Sequence, residues 1–361
     1  MLLTVPAALG QGITDAVRTK IEQLGDAESK EVAAYVAGNS KNLLSDDPQL
    51  LKKDRDSLLE PLLKTDTSVP FRIAYDRELM PHINEMVGSG KEMIVINGLI
   101  LAGGLATEHA LDAVLGKLGD KAPAVRYQAG SALIQTFQII HDSQPAILKP
   151  AQERALSDLQ QQMAAERDPQ VLDVLIRAAL KAAAIDNLQN EAVSTLSKGV
   201  VQNVKGMPNP GGMLEAGSLL RAADSGQFVM AQLAGRNQAL RVATAKDAAE
   251  MGGVLIARVA HMVQHKDLAL QSGDPLRLAY AQVVSASQKL IQFAGQSLQP
   301  GGEFQLRDNG GAGIILEQSL REGTTSGDAS FVLNVQLLIG PGGMLSKPPF
   351  ELSPDKFKQG P

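Results

Sequence analysis

Apolar residues in this chain recur three and four positions apart far more often than in alternation. The clearest run is 120–140, DKAPAVRYQAGSALIQTFQII, where Val125, Ala129, Ala132, Leu133, Thr136, Phe137 and Ile140 fall on one helical face. The same periodicity predicts helices over 71–87, 91–103, 107–118, 123–140, 147–165, 169–184 and 187–204, separated by short breaks such as Gly88-Ser89-Gly90, Gly103-Gly104 and Arg167-Asp168-Pro169. Breaks this short force neighbouring helices into antiparallel contact.

Before this block, Ile13, Val17, Ile21 and Leu24 predict a helix over 13–24, and a second is expected over 27–37. Asp46-Asp47-Pro48 then starts a helix that Pro61 kinks or shortens. After Lys205 the texture changes. Gly206, Pro208, Pro210, Gly211 and Gly212 mark a loop, followed by an expected long element over 227–266, interrupted at Gly235 and at Gly252-Gly253. Further helices are predicted over 275–298, 314–321 and 328–339, with a glycine-rich loop over 300–313. The expected organisation is an N-terminal helical cap (12–69), a repeat array (70–204), a C-terminal helical region (205–340) and a disordered tail (341–361).

Composition agrees with an all-α fold. Aromatic residues make up 3%, Trp is absent, and much of the 44% hydrophobic content is Ala, Leu, Val and Ile, a supply suited to close helix packing. The formal net charge is −5 and no long stretch is basic; a nucleic-acid binder would lack the charge that supplies most of its affinity. No window of 18 or more residues is free of charged and polar groups, so no transmembrane segment is expected. The absence of cysteine excludes disulfides, zinc–thiolate sites, iron–sulfur clusters and thiol nucleophiles.

Asp120, Pro123, Val125-Arg126, Ala129 and Ala132-Leu133 resemble the turn and second helix of a HEAT repeat, the armadillo-like class of helical array. A second copy keeps Asp168, Pro169, Val171 and Leu175, about 46 residues on, against a family period of about 40–47. In that family the turn Asp and the helix Arg form ladders between repeats, but here Leu172 stands in the second copy where the Arg would be. The resemblance covers about residues 70–204 and implies a HEAT-like α-solenoid of antiparallel helical hairpins.

Candidate chemistry is sparse. His261 and His265 share a helical face at i and i+4, but Met262 replaces the Glu of a zincin motif, and the pair is read as two surface histidines. Gly88-Ser89-Gly90-Lys91 fails the phosphate-loop pattern, with Glu85 and Glu92 at its key positions. Gly98, Gly103 and Gly104 are read as points of close helix approach. The pentapeptide Pro-Gly-Gly-Met-Leu occurs at 210–214 and 341–345, with a partial copy at 300–302, and is read as helix punctuation. No catalytic, cofactor-binding or metal-ligating residue is assigned, and no cofactor is implied.

These observations point to a non-enzymatic helical-repeat scaffold that binds a protein partner. The alternatives are an enzyme, or an enzyme accessory resembling the lyase-associated HEAT proteins, and third a helical-repeat nucleic-acid binder, which the acidic balance disfavours. The opening MLLTVPAALGQ resembles the tail of a signal peptide, with small residues ahead of Gln11. Export with a mature start at Gln11 is expected; the rival is a cytoplasmic chain whose apolar first residues cap the first helices.

Overall fold

A computed structural model describes residues 12–143, 146–207, 211–235, 242–299, 304–306 and 316–358. The expected signal-peptide remnant, 1–11, and nearly all of the 300–313 loop lie outside the described residues. Secondary structure is helical throughout, with no β-strand among the described residues; a lone bridge joins Thr107 and Ala146. The chain divides into two compact units, Met1–Ala155 and Leu156–Pro361. This division falls inside one helix, whereas the sequence changes texture near 70 and 205.

The first unit contains α1 (Asp15–Arg18), α2 (Asp26–Asn39), α3 (Pro48–Leu59), α4 (Val69–Gly88), α5 (Glu92–Leu105), α6 (Glu108–Leu115), α7 (Pro123–Asp142) and the start of α8 (Lys149–Ala165). Two rows of neighbours recur. Helix α4 packs on α2 and α6, and α5 packs on α3 and α7, while α4–α5, α5–α6 and α6–α7 cross between the rows. Neighbours in both rows approach α5 closely because it carries glycines. A Cβ at Gly98 would lie 2.9 Å from the Met86 Cβ, and one at Gly103 would lie 2.9 Å from the Ala132 Cα, so these positions serve packing as expected. Arg72 anchors the end of α5. Its guanidinium donates to the carbonyls of Gly104 (2.9 Å), Leu105 (3.1 Å) and Leu62 (2.8 Å), placing a cation on a helix C-terminus, while burial pushes its pKa down to about 10.

The second unit holds the rest of α8, then α9 (Pro169–Ala182), α10 (Gln189–Lys205), α11 (Met213–Gly235), α12 (Val242–Gln264), α13 (Pro275–Leu298), α14 (Leu316–Arg321) and α15 (Thr325–Ile339). The alternation repeats: α11 lies between α9 and α13, and α12 lies between α10 and α15. Both units therefore show the repeating helix-on-helix pattern of helical-repeat architecture.

Local chemistry sets many boundaries. Asp47, Asp168 and Asp274, each followed by proline, accept backbone N–H groups at the starts of α3, α9 and α13, with shortest distances of 2.8 Å in each case. Pro61 shortens α3 into a 3-10 turn, Glu60–Leu62.

Several expectations need correction. The helix over 13–24 is confined to Asp15–Arg18: Ile21 is 80% exposed, although Leu24 beyond it is buried. The interruption expected at Gly235 coincides with the end of α11, but that helix starts fourteen residues before 227, at Met213; residues 236–241 lie outside the described residues. Gly252-Gly253 does not interrupt α12, because tertiary contacts occupy the space a Cβ would need, Ile291 against Gly252 and Phe357 against Gly253. The segment 341–358 is not disordered. It forms two short 3-10 turns, Met344–Ser346 and Pro354–Phe357, and buries Leu345, Phe350, Leu352 and Phe357. Lys356 pairs with Glu250 (2.5 Å) and Glu351 with Lys246 (3.1 Å), fastening this segment to α12. Thr325–Ser346 contains Asp328, Asn334 and Gln336 yet is long and apolar enough, by length and composition alone, to cross a membrane; within the second unit, Phe331, Val335 and Leu338 of this stretch are buried.

Candidate interaction surface

Helix α11 is the middle member of the row α9–α11–α13, so its flanks are covered and one narrow stripe remains outward. Inward, at helical spacing, stand Ala216, Leu219, Ala222, Ala223, Gly226, Val229 and Met230, all buried. Outward stand Leu214, Gly217, Leu220, Arg221, Asp224 and Phe228. Leu214 is 60% and Phe228 55% exposed, so this stripe keeps large apolar side chains in water that a helix of this length had inward positions to bury. A groove of about 300 Å³ runs along it, lined by Leu180 of α9 and by Gly217, Leu220, Arg221, Asp224, Ser225 and Phe228 of α11. Gly217 opens it, since nothing lies within 4 Å of where its Cβ would be.

The charges are unevenly matched. Asp173 of α9 is held by Arg177 (3.1 Å) and by Arg221. Asp224 makes no hydrogen bond or ion pair among the described residues; loss of solvent pushes its carboxyl above the ordinary carboxylate range, opposed by the more distant fields of Lys289 and Arg221.

A second polar cluster lies inside the same unit. Glu215, in the first turn of α11, accepts from Arg258 of α12 (3.2 and 3.4 Å) and from the Tyr280 hydroxyl of α13 (2.9 Å). Burial, then the Glu215 charge, drives the Tyr280 phenol far above its ordinary value. Gly211 completes the packing, for a Cβ there would lie 2.1 Å from the Tyr280 hydroxyl. The adjacent cavity, about 410 Å³, is lined by Glu166 to Pro169, Leu172, Met207 and Gly212 to Glu215. Its acidic groups are already engaged: Glu166 accepts the backbone N–H of Arg167 and Asp168 (both 2.9 Å), and Asp168 caps α9. This cluster ties three helices together.

His261 and His265 stack at the end of α12 with ring centroids 4.2 Å apart. Burial, and then His265 and Arg258, hold the His261 pKa down. Among the described residues no group of three or more His, Asp or Glu side chains is placed to hold a metal. Lys91 pairs with Asp46 at 2.7 Å, and Gly88 to Gly90 form the end of α4 and its turn. Asp120 accepts the Ala122 N–H (3.0 Å), and Arg126 donates to the carbonyl of Asp120 (2.9 Å), so both secure the turn before α7.

The repeated pentapeptide takes two conformations. Gly211 to Leu214 lead into α11 with Leu214 exposed, whereas Leu345 in the second copy is fully buried beside Gly253. Pro210 and the partial copy at 300–302 lie outside the described residues. One pairing escapes linear reading: Asp76 of α4 accepts the Thr107 hydroxyl and faces His109 Nδ1 at 2.8 Å, raising the His109 pKa. The partners stand 31 and 33 positions from Asp76, and no short motif spans that distance.

No protein-family model matches the chain, and no curated protein matches it.

Proposed function

We propose that this protein is a non-enzymatic, HEAT-like helical-repeat scaffold that binds another protein through the outward face of α9, α11 and α13. The carrying observation is the α11 stripe, where Leu214, Leu220 and Phe228 line a solvent-open surface in the middle of a stacked row. Contiguous exposed apolar surface on a rigid helical platform marks a site of association. The buried cluster of Glu215, Arg258 and Tyr280 holds three helices together, which supports a scaffold reading. The net charge of −5 favours a protein over a polyanionic partner.

A photo-crosslinking residue at Leu214 or Phe228, introduced in the native host, tests this reading. Capture of one defined protein in stoichiometric amount, lost when the residue is moved to the buried face of α11, is the expected result. Purification with a retained small molecule or metal and without a crosslinked protein overturns it.

A further inference from the structure

The stripe on α11 also carries information about what binds there, and the inference that follows rests on the scaffold reading above. Asp224 and Phe228 are four residues apart on one helix, so carboxylate and aromatic ring sit side by side on the same face. Leu220 and, from α9, Leu180 form the remaining apolar wall, and Gly217 leaves the groove open at one end. The cation nearest in sequence, Arg221, is committed to Asp173, and Lys289 of α13 acts on Asp224 through its field without reaching ion-pair distance.

A carboxylate that has lost part of its hydration and gained no partner is complementary to a cation brought from outside. The apolar walls require that this cation arrive on a hydrocarbon stem. Lysine and arginine side chains meet both conditions, since their stems cover apolar surface while the charged head reaches a polar partner. An aromatic ring beside the carboxylate adds an attractive face for the same charge.

We propose that the groove between α9 and α11 takes a Lys or Arg side chain from an amphipathic segment of the protein partner, its charged head on Asp224 and its stem, with a neighbouring apolar residue, against Leu180, Leu220 and Phe228. An acidic segment or a phosphate backbone would instead press negative charge onto Asp224. A second copy of the chain docking by two-fold symmetry would bring like faces, with like carboxylates, together.

The test uses the full chain and a random peptide library displayed on phage, followed by synthetic versions of the enriched peptides measured by fluorescence anisotropy. Enriched peptides carrying Lys or Arg three or four positions from Leu or Phe are expected. Asp224→Asn weakens their binding by about tenfold, the scale of one charge-assisted contact, and Phe228→Ser weakens it comparably. Asp224→Lys abolishes binding of the basic peptide and restores binding of its Glu-substituted counterpart, while Lys289→Ala leaves affinity unchanged or tightens it. All three positions face solvent, and unchanged melting curves verify that the variants fold.

Enrichment of acidic peptides, or basic peptides whose affinity ignores both Asp224→Asn and Phe228→Ser, overturns the assignment while leaving the scaffold reading intact, because binding then occurs elsewhere. No selected peptide together with no crosslinked protein overturns both. A dimer that sediments as such and is broken by Asp224→Lys overturns the basic segment in favour of a second copy.

Discussion

Replacing Glu215 with Gln isolates the electrostatic part of the buried cluster. The substitution keeps the shape of the side chain and an oxygen to accept the Tyr280 hydroxyl, but it leaves Arg258, whose side chain is 2% exposed, without its counter-charge. Removing one partner of a buried pair costs about 3–5 kcal/mol. The low end applies here, because the contacts of 3.2 and 3.4 Å are long for charge-assisted bonds and Arg258 retains other contacts. For a unit of this size, about 3 kcal/mol corresponds to a fall in Tm of about 6–12 °C.

Differential scanning calorimetry of the full chain at neutral pH reads this shift in the transition belonging to the second unit. Hydrogen exchange assigns it, with protection lost first along α11, α12 and α13. Changing Arg258→Met in the same molecule restores most of the loss, since a buried pair replaced by apolar side chains is often neutral. If Glu215→Gln melts within about 1 °C of the parent, less than the shift for 0.5 kcal/mol, the cluster does not hold the unit together and the reasoning fails.

Other outcomes follow from the same contacts. Gly103→Val places a side chain 2.9 Å from the Ala132 backbone and should destabilise the first unit by about 1–3 kcal/mol, read as an earlier thermal transition by circular dichroism; an unchanged melt would show that α5 and α7 are not in close contact. Phe357→Ala removes a buried ring from the surface of α12 and should cost about 3 kcal/mol, with limited proteolysis cutting first within 341–358. The folded-state pKa of His109 lies above its ordinary 6.5, so the stability it contributes is fully present below pH 6.5 and is lost as pH rises through the raised value; an imidazole titration by NMR reports that value, and Asp76→Asn should return it towards 6.5. Tyr75 and Tyr280 are both held far above their ordinary 10.0, so the protein should lose stability as pH climbs past 10, which alkaline melting curves check.

Much of the helical framework was readable because its signals are local. The Asp-Pro pairs at 47–48, 168–169 and 274–275 satisfy the first backbone N–H groups of their own helices, and the stripe from Val125 to Ile140 has the helical period in its own residues. Such features need no distant partner, so boundaries in the block 69–205 fall within a few residues of the periodicity. The glycines of α5 were also legible as points of close approach, because an apolar helix tolerates them chiefly where another backbone arrives.

Tertiary structure decided the rest. Ile13, Val17, Ile21 and Leu24 have helical spacing, yet α1 stops at Arg18 and Ile21 is exposed, although Leu24 is buried. The segment 341–358 has too few apolar residues to fold alone, but Leu345 and Phe357 meet the space that Gly253 leaves on α12. The carboxylates differ in the same way: Glu215 and Asp224 lie nine positions apart on one helix, and only packing turns one inward to Arg258 and Tyr280 and leaves the other in an open groove. Periodicity reports which face of a helix avoids water, since that is a property of the segment. Which charge is paired, which apolar stripe remains uncovered and which tail is held down depend on residues far away in sequence, and only the folded contacts supply them.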